Sequence, residues 1–348
     1  MSDLPLMGLI GSHPLGALAA FGLLRCCEEL APDTTRLRWE SRGDWFAVLE
    51  STRFQSTDEL ITELAKRQPG RADAPELRWA KDKNDDIRAS ADLFREVATE
   101  AVSAAVEETT GNKRYFADFL SGFTSGFATN EKDELEPTRF YMTSGRQVFL
   151  KEVRKLAVGL ASGLTVNRRD KAPDVLFREA LLGPWSYEDP QHSLGWDPDT
   201  ERLHALRAKS PTGETPQGVA AAVWLAFEAL PLFPSFFSSE RLKTRTDRQS
   251  RASGPRPVPG SHIGGRLKTR GFSLIGSEDK MYFSWPIWIP ALSLSTLRSL
   301  LALDALVQEK PPLDELRNRG VAAVFRSERY KVKTQGAYFV FRPAFQCM

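Results

Sequence analysis

Residues Arg241 to Arg270 hold nine Lys/Arg against one acid, Asp247, and write the pentapeptide Arg-Leu-Lys-Thr-Arg twice, at 241–245 and 266–270. The local charge is +8 in a chain whose net charge is +2, so everything else sums to −6. Such an asymmetry points to a partner that carries phosphates, because neutralising them with Lys and Arg releases condensed counterions. Arg forks onto a phosphate through two N–H groups, and Lys acts as a point charge. Thr244 and Thr269 add hydroxyl donors. Between the copies, Ser253-Gly254-Pro255-Arg256-Pro257-Val258-Pro259-Gly260 cannot continue a helix or a central strand. The expected phosphate ligands are Arg241, Lys243, Arg245, Arg248, Arg251, Arg256, Arg266, Lys268 and Arg270, on a long basic loop over 238–271. Two identical basic ends around a Pro/Gly hinge suggest a flexible clamp on a backbone. Phe236, Phe237 and Phe272 flank the charges and could stack on the bases of a single strand.

A second basic zone runs from Arg146 to Lys171, with seven bases and two acids. Its helix would show Lys151, Arg154 and Lys155 on the outer face, and these are candidate contacts to the same ligand. A solvated helix face is the plainer reading of such a pattern.

Residues for bond-making chemistry are sparse. The chain has four histidines, His13, His192, His204 and His262, and lacks a Walker A loop, a His-Glu-x-x-His pair and a Gly-x-Ser-x-Gly elbow. Gly122-Phe123-Thr124-Ser125-Gly126 puts Thr where the elbow needs Ser and reads as a packing turn. The nearest approach to a metal cluster is Asp189, His192, Asp197 and Asp199, but two Asp-Pro pairs mark turns there. His13 stands at a helix start and reads as a capping or packing residue. No catalytic residue, metal or cofactor is assigned.

The elements that must position these residues are those of an α+β chain. Its 348 residues, 41% hydrophobic with eight Trp and 21 Phe, can bury a sizeable core. Two lobes are expected, 1–172 and 173–348, the second carrying the basic loop. Cys26, Cys27 and Cys347 are too few and too badly spaced for a disulfide framework, which sets a reduced, cytoplasmic default. Leu4 to Leu24 carries no charged residue over 21 positions. Gly11-Ser12-His13-Pro14 breaks this run, and Gly16, Ala17, Ala19, Ala20 and Gly22 suit close packing in a core, so no membrane span is expected.

The patterns predict a strand at Pro5–Ile10 and a helix capped by Ser12 that ends near Glu29. A hairpin follows over Arg36–Glu50, then a helix from Asp58 to Arg67 stopped by Pro69. Further helices are predicted at Asp92–Glu108, Arg146–Ser162, Val219–Leu230 and from Ser293 or Ser295 to Val307. Strands are predicted at Pro137–Thr143, at Met281–Ile289 as an edge containing Pro286, and at Val321–Arg326 paired with Ala337–Arg342. In the last pair, Arg329, Lys331 and Lys333 fall in the connection.

Three stretches carry a family resemblance. One is Gly11-Ser12-His13-Pro14-Leu15-Gly16-Ala17-Leu18-Ala19-Ala20-Phe21-Gly22-Leu23-Leu24-Arg25. Another is Leu206-Arg207 followed by Trp224-Leu225-Ala226-Phe227-Glu228-Ala229-Leu230-Pro231-Leu232-Phe233-Pro234. The last is Phe283-Ser284-Trp285-Pro286-Ile287-Trp288 with Leu292-Ser293-Leu294. Together they resemble CRISPR-associated proteins of the type I-G systems (formerly I-U), in the large-subunit-like or helicase-nuclease-associated accessory group. The resemblance implies a non-catalytic subunit of a Cascade-like, RNA-guided complex for antiviral defence. Its partners would be DNA or guide RNA and the other effector subunits, with contact to the target DNA backbone or recruitment of the helicase-nuclease. The rival expectations are a metal-dependent nuclease using Asp189, His192, Asp197 and Asp199, and a scaffold docking an acidic protein.

Overall fold

A nine-residue strand, β1 (Ser2–Ile10), opens the chain and leads through the Gly11–His13 turn into a 17-residue helix, α1 (Pro14–Leu30). In the computed structural model, residues 1–81, 85–107, 112–130, 133–143, 147–199, 217–238, 266–276, 280–332 and 338–348 are described. The N-cap of α1 is His13 rather than Ser12: the imidazole Nδ1 accepts the Gly16 N–H, while the Ser12 hydroxyl donates to Asp44. The hairpin β2 (Thr35–Ser41) and β3 (Trp45–Ser51) joins β1 in an antiparallel sheet of order β1-β3-β2.

Helix α2 (Thr57–Arg71) is capped by Ser56 and continues through Pro69 instead of stopping before it. Proline in a helix costs a hydrogen bond and a clash. Here the extra turn delivers Arg71 to the buried carboxylates of Glu76 and Glu228, so ion pairing outweighs local propensity. Helices α3 (Ala91–Glu107), α4 (Asn112–Phe123) and α5 (Phe149–Ser162) follow, and α5 buries Phe149, Val153, Leu156 and Leu160 as its pattern predicts. A short hairpin, β4 (Leu164–Val166) and β5 (Arg169–Lys171), precedes α6 (Pro173–Leu182). Helix α7 (Ala220–Glu228) is buried along its whole length and packs on α1.

Small residues on α1 bring the two helices into backbone contact. A Cβ built on Gly22 would lie 1.7 Å from the Leu225 carbonyl oxygen. No helix among the described residues is long and apolar enough to cross a membrane.

The last third holds the two-stranded ribbon β6 (Ser235–Ser238) and β7 (Arg266–Thr269), then a second antiparallel sheet. That sheet runs β8 (Phe272–Ile275), β9 (Lys280–Trp288), β10 (Val321–Val332) and β11 (Tyr338–Phe341), with β12 (Phe345–Gln346) also on β10. Helices α8 (Leu294–Leu301), capped by Ser293, and α9 (Leu313–Arg317) lie between β9 and β10. Strand β9 is interior in the sheet order, yet β8 pairs only with Lys280 to Phe283. Pro286 therefore faces a single ladder, that of β10.

Two strand expectations fail for one reason, long-range partners. Val321 to Glu328 pairs with β9, and β11 pairs instead with Arg329 to Val332, so Arg329 and Lys331 belong to the strand, while Lys333 lies outside the described residues. Pro137–Thr143 forms no strand, because its backbone groups are taken one by one by Phe123, Thr269 and Phe339. The architecture is α+β. Most of the buried apolar residues among those described form one cluster running from Leu4 to Phe341. Its aromatic centre stacks Phe21 on Trp288 and packs Phe140 against Phe233, Phe272 and Phe283.

Candidate nucleic-acid interface

Of the nine expected phosphate ligands, Arg266, Lys268 and Arg270 lie in described residues. Arg241, Lys243, Arg245, Arg248, Arg251 and Arg256 lie outside them. The second pentapeptide is a strand, not a free loop. Alternation along β7 buries Leu267 and Thr269 and exposes Arg266 and Lys268. Strand β6 completes this face with Phe236, which sits opposite Lys268 and is 49% exposed.

Thr269 is withdrawn from any ligand. Its hydroxyl oxygen accepts the Arg139 N–H at 3.0 Å and contacts the Ser235 hydroxyl at 3.0 Å. Phe272 is partly buried, packing 4.9 Å from Phe140 and 5.2 Å from Phe283 while also lining the cavity beside the ribbon. Phe236 is the ring best placed to stack, and Phe237 is only partly exposed.

The exposed face of the ribbon lines a cavity of about 720 Å3. Arg139, Arg266, Lys268, Arg270 and Asp304 are its charged lining, and Phe236, Met281 and Leu303 supply apolar wall. Burial lowers the Arg270 guanidinium's affinity for its proton, with Asp304 opposing. Arg139 and Arg266 also wall a second, more polar cavity of about 410 Å3, which adds Arg88, Glu136 and Arg329. Arg139 is fixed at the junction by donating from Nη2 to the Leu267 carbonyl at 2.6 Å. Arg329 donates to the carbonyls of Arg139 and Tyr141, at 2.8 and 3.0 Å, and its guanidinium lies 3.5 Å from the centre of the Phe339 ring. Burial, reinforced by Arg139, pushes the Arg329 guanidinium down to about 9. Sequence reading does not single out Arg88, Arg139 and Arg329 as site residues because they are far apart in the chain; it places Arg329 with Lys331 and Lys333 in a strand connection.

The comparison with protein-family models and with curated proteins gives no match.

The other candidates are differently engaged. On α5, Arg154 donates to the Leu77 carbonyl at 2.7 Å and pairs with Asp85, and Lys155 pairs with Glu152 at 2.9 Å. Lys151 is exposed, and none of the three lines the two basic cavities. The four residues weighed as a metal cluster do not converge. Asp189 is held by Lys171 at 2.9 Å and by the Ala220 N–H at 2.9 Å. His192 Nδ1 accepts the Leu194 N–H.

Asp197 and Asp199 instead meet His13, whose Nε2 lies 3.4 and 3.6 Å from their carboxylates. Burial alone would lower the His13 pKa, but the two carboxylates outweigh it and raise it to about 9. If the ring is neutral, accepting from Gly16 at Nδ1 puts its single hydrogen on Nε2. If it is the imidazolium, Nε2 is protonated as well and the 3.3 Å cap bond is given up. In both states Nε2 carries a hydrogen that faces the two acids at 3.4 and 3.6 Å without closing a hydrogen bond, and the three side chains lie near enough to one another to hold a metal ion. The cluster is a clamp between the start of α1 and the 193–199 segment.

Proposed function

We propose that this chain binds nucleic acid without cleaving it, holding the phosphate backbone along the exposed face of β7. The carrying observation is the alternation of Arg266 and Lys268 with buried Leu267 and Thr269, beside exposed Phe236, at the rim of a cavity that also presents Arg270. Residues on one strand face repeat about every 6.8 Å. Two cations at that repeat can follow successive phosphates while an aromatic ring takes a base. The basic residues at 241–256 continue the same charge in sequence.

The resemblance of the Gly11–Arg25 and Phe283–Trp288 stretches to type I-G proteins supports assigning this activity to an RNA-guided effector complex. In such a complex base pairing reads sequence and protein reads the backbone. DNA or guide RNA would be the ligand, and the helicase-nuclease a candidate neighbour. Asp189 and His192 are engaged apart from Asp197 and Asp199, which supports the non-cleaving reading over a nuclease built on those four residues.

Fluorescence anisotropy with single- and double-stranded oligonucleotides across a salt series tests the reading. Replacing Arg266, Lys268 and Arg270 together by Ala should weaken binding and flatten the log K against log salt slope by about 2 or more. Unchanged affinity and slope would show that β7 is not the binding element.

A further inference from the structure

His13 belongs to a side-chain cluster that the β7 groove does not include. Among the described residues, His13, Asp197 and Asp199 are the one group of three such side chains whose ligand atoms all lie within 4.8 Å of one another. Asp197 is fully buried, and the Asp199 side chain is 39% exposed. Nε2 of His13 is itself buried and closes no hydrogen bond among the described residues. Its distances to the two carboxylates, 3.4 and 3.6 Å, exceed the roughly 2.7–2.9 Å at which a charge-assisted hydrogen bond closes. They suit two ligands that share an ion. With zinc–ligand bonds of about 2.0–2.2 Å, the edges of a tetrahedron measure about 3.3–3.6 Å. An octahedral magnesium ion, with bonds of about 2.0–2.1 Å, needs edges of about 2.9 Å and favours oxygen ligands.

We propose that His13, Asp197 and Asp199 form a zinc site, with water in the fourth position on the side where Asp199 meets solvent. The inference is independent of the nucleic-acid reading of β7. Imidazole and carboxylate are both zinc ligands, and two carboxylates balance the charge of a dication. Asp197 Oδ1 accepts the Asp199 N–H at 2.9 Å, a turn that brings the two acids round to the same ring. A carboxylate has lone pairs for a metal beside such a bond. Trp185 packs edge-on against the imidazole at 5.5 Å and fixes the plane of the ring. Zinc takes the place of the Nε2 proton: the Nε2 lone pair forms the Zn–N bond, and the proton leaves to solvent. The remaining ring hydrogen sits on Nδ1, as it does in the imidazolium, so the first turn of α1 is the same in both states. The ion then ties the start of α1 to the 193–199 segment and stabilises the folded chain by mass action.

The experiment takes the full chain through a chelator and titrates it with zinc chloride, and in parallel with magnesium chloride, by calorimetry and thermal unfolding. One zinc per chain should bind with micromolar or tighter affinity and raise the melting temperature. About one proton should be released, read from the dependence of the heat on the buffer. Magnesium should do neither. Cobalt(II) in place of zinc should show the intense visible bands of a four-coordinate ion. Asp199→Asn, at the exposed edge of the cluster, should weaken zinc binding about tenfold or more while the metal-free variant still unfolds cooperatively. His13→Gln should abolish the cobalt bands. An absence of zinc binding at millimolar concentration would overturn the inference, as would magnesium binding more tightly than zinc. Zinc bound equally well by the parent chain and both variants would place the ion on other side chains, which overturns it too.

Discussion

His13 shows how one side chain answers to two neighbours. Its Nδ1 faces the first turn of α1, and its Nε2 faces Asp197 and Asp199. The two carboxylates raise its pKa from 6.5 to about 9. A raised folded-state value contributes stability that is complete below pH 6.5 and is lost as pH rises through about 9. His13→Gln should therefore lower the melting temperature clearly at pH 6 and much less at pH 10. An equal loss at both pH values would refute the ion pairing. Glu228 is the opposite case. Burial would raise its pKa, but Arg67, Arg71 and Arg25 hold it down at about 2. Its contribution is present above pH 4.5 and fades as pH falls toward 2. Glu228→Ala leaves three guanidiniums facing a void and should cost about 3–5 kcal/mol in denaturant unfolding at pH 7.

At the scale of elements, contacts between helices and strands decide more than propensity does. Helix α1 meets α7 backbone to backbone because Gly22 has no side chain to hold them apart. Gly22→Ala adds a methyl where 1.7 Å is left, and Gly favours a helix less than Ala, so propensity and packing oppose each other. Overpacking should win by about 1–3 kcal/mol or more, seen as a lower urea midpoint. A stabilised variant would mean that the helices are not in contact. Strand β7 depends on the same principle. Its inward Leu267 and Thr269 anchor it to the core, so the outward Arg266 and Lys268 are presented at a fixed repeat.

For the whole molecule, charge placement matters more than charge count. The α5 zone has a net +5 in sequence, but Arg154 and Lys155 are tied into ion pairs. The β7 face is set against two cavities that share Arg139 and Arg266. Replacing Lys151, Arg154 and Lys155 by Ala should leave the salt slope of nucleic-acid binding within error. It should also lower the melting temperature, because Arg154 holds the Leu77 carbonyl and Asp85. A slope flattened as much as by the β7 substitutions would instead place α5 on the ligand path.

The amino-acid sequence alone determined what local pattern can encode. The first hairpin, α1, α3, α5 and α7, and the small-residue packing of α1 are legible because period and turn chemistry lie within a few residues. The charge anomaly at 241–270 is equally local. Tertiary structure decided which partner each group meets. It carried α2 through Pro69 toward Glu228, divided β10 between β9 and β11, and turned one Arg-Leu-Lys-Thr-Arg copy into a strand. It also drew Arg88, Arg139, Arg266 and Arg329 from four distant stretches to one cavity. Ion pairing and convergence of this kind join residues far apart in the chain, 157 positions for Arg71 and Glu228, which no sequence window contains.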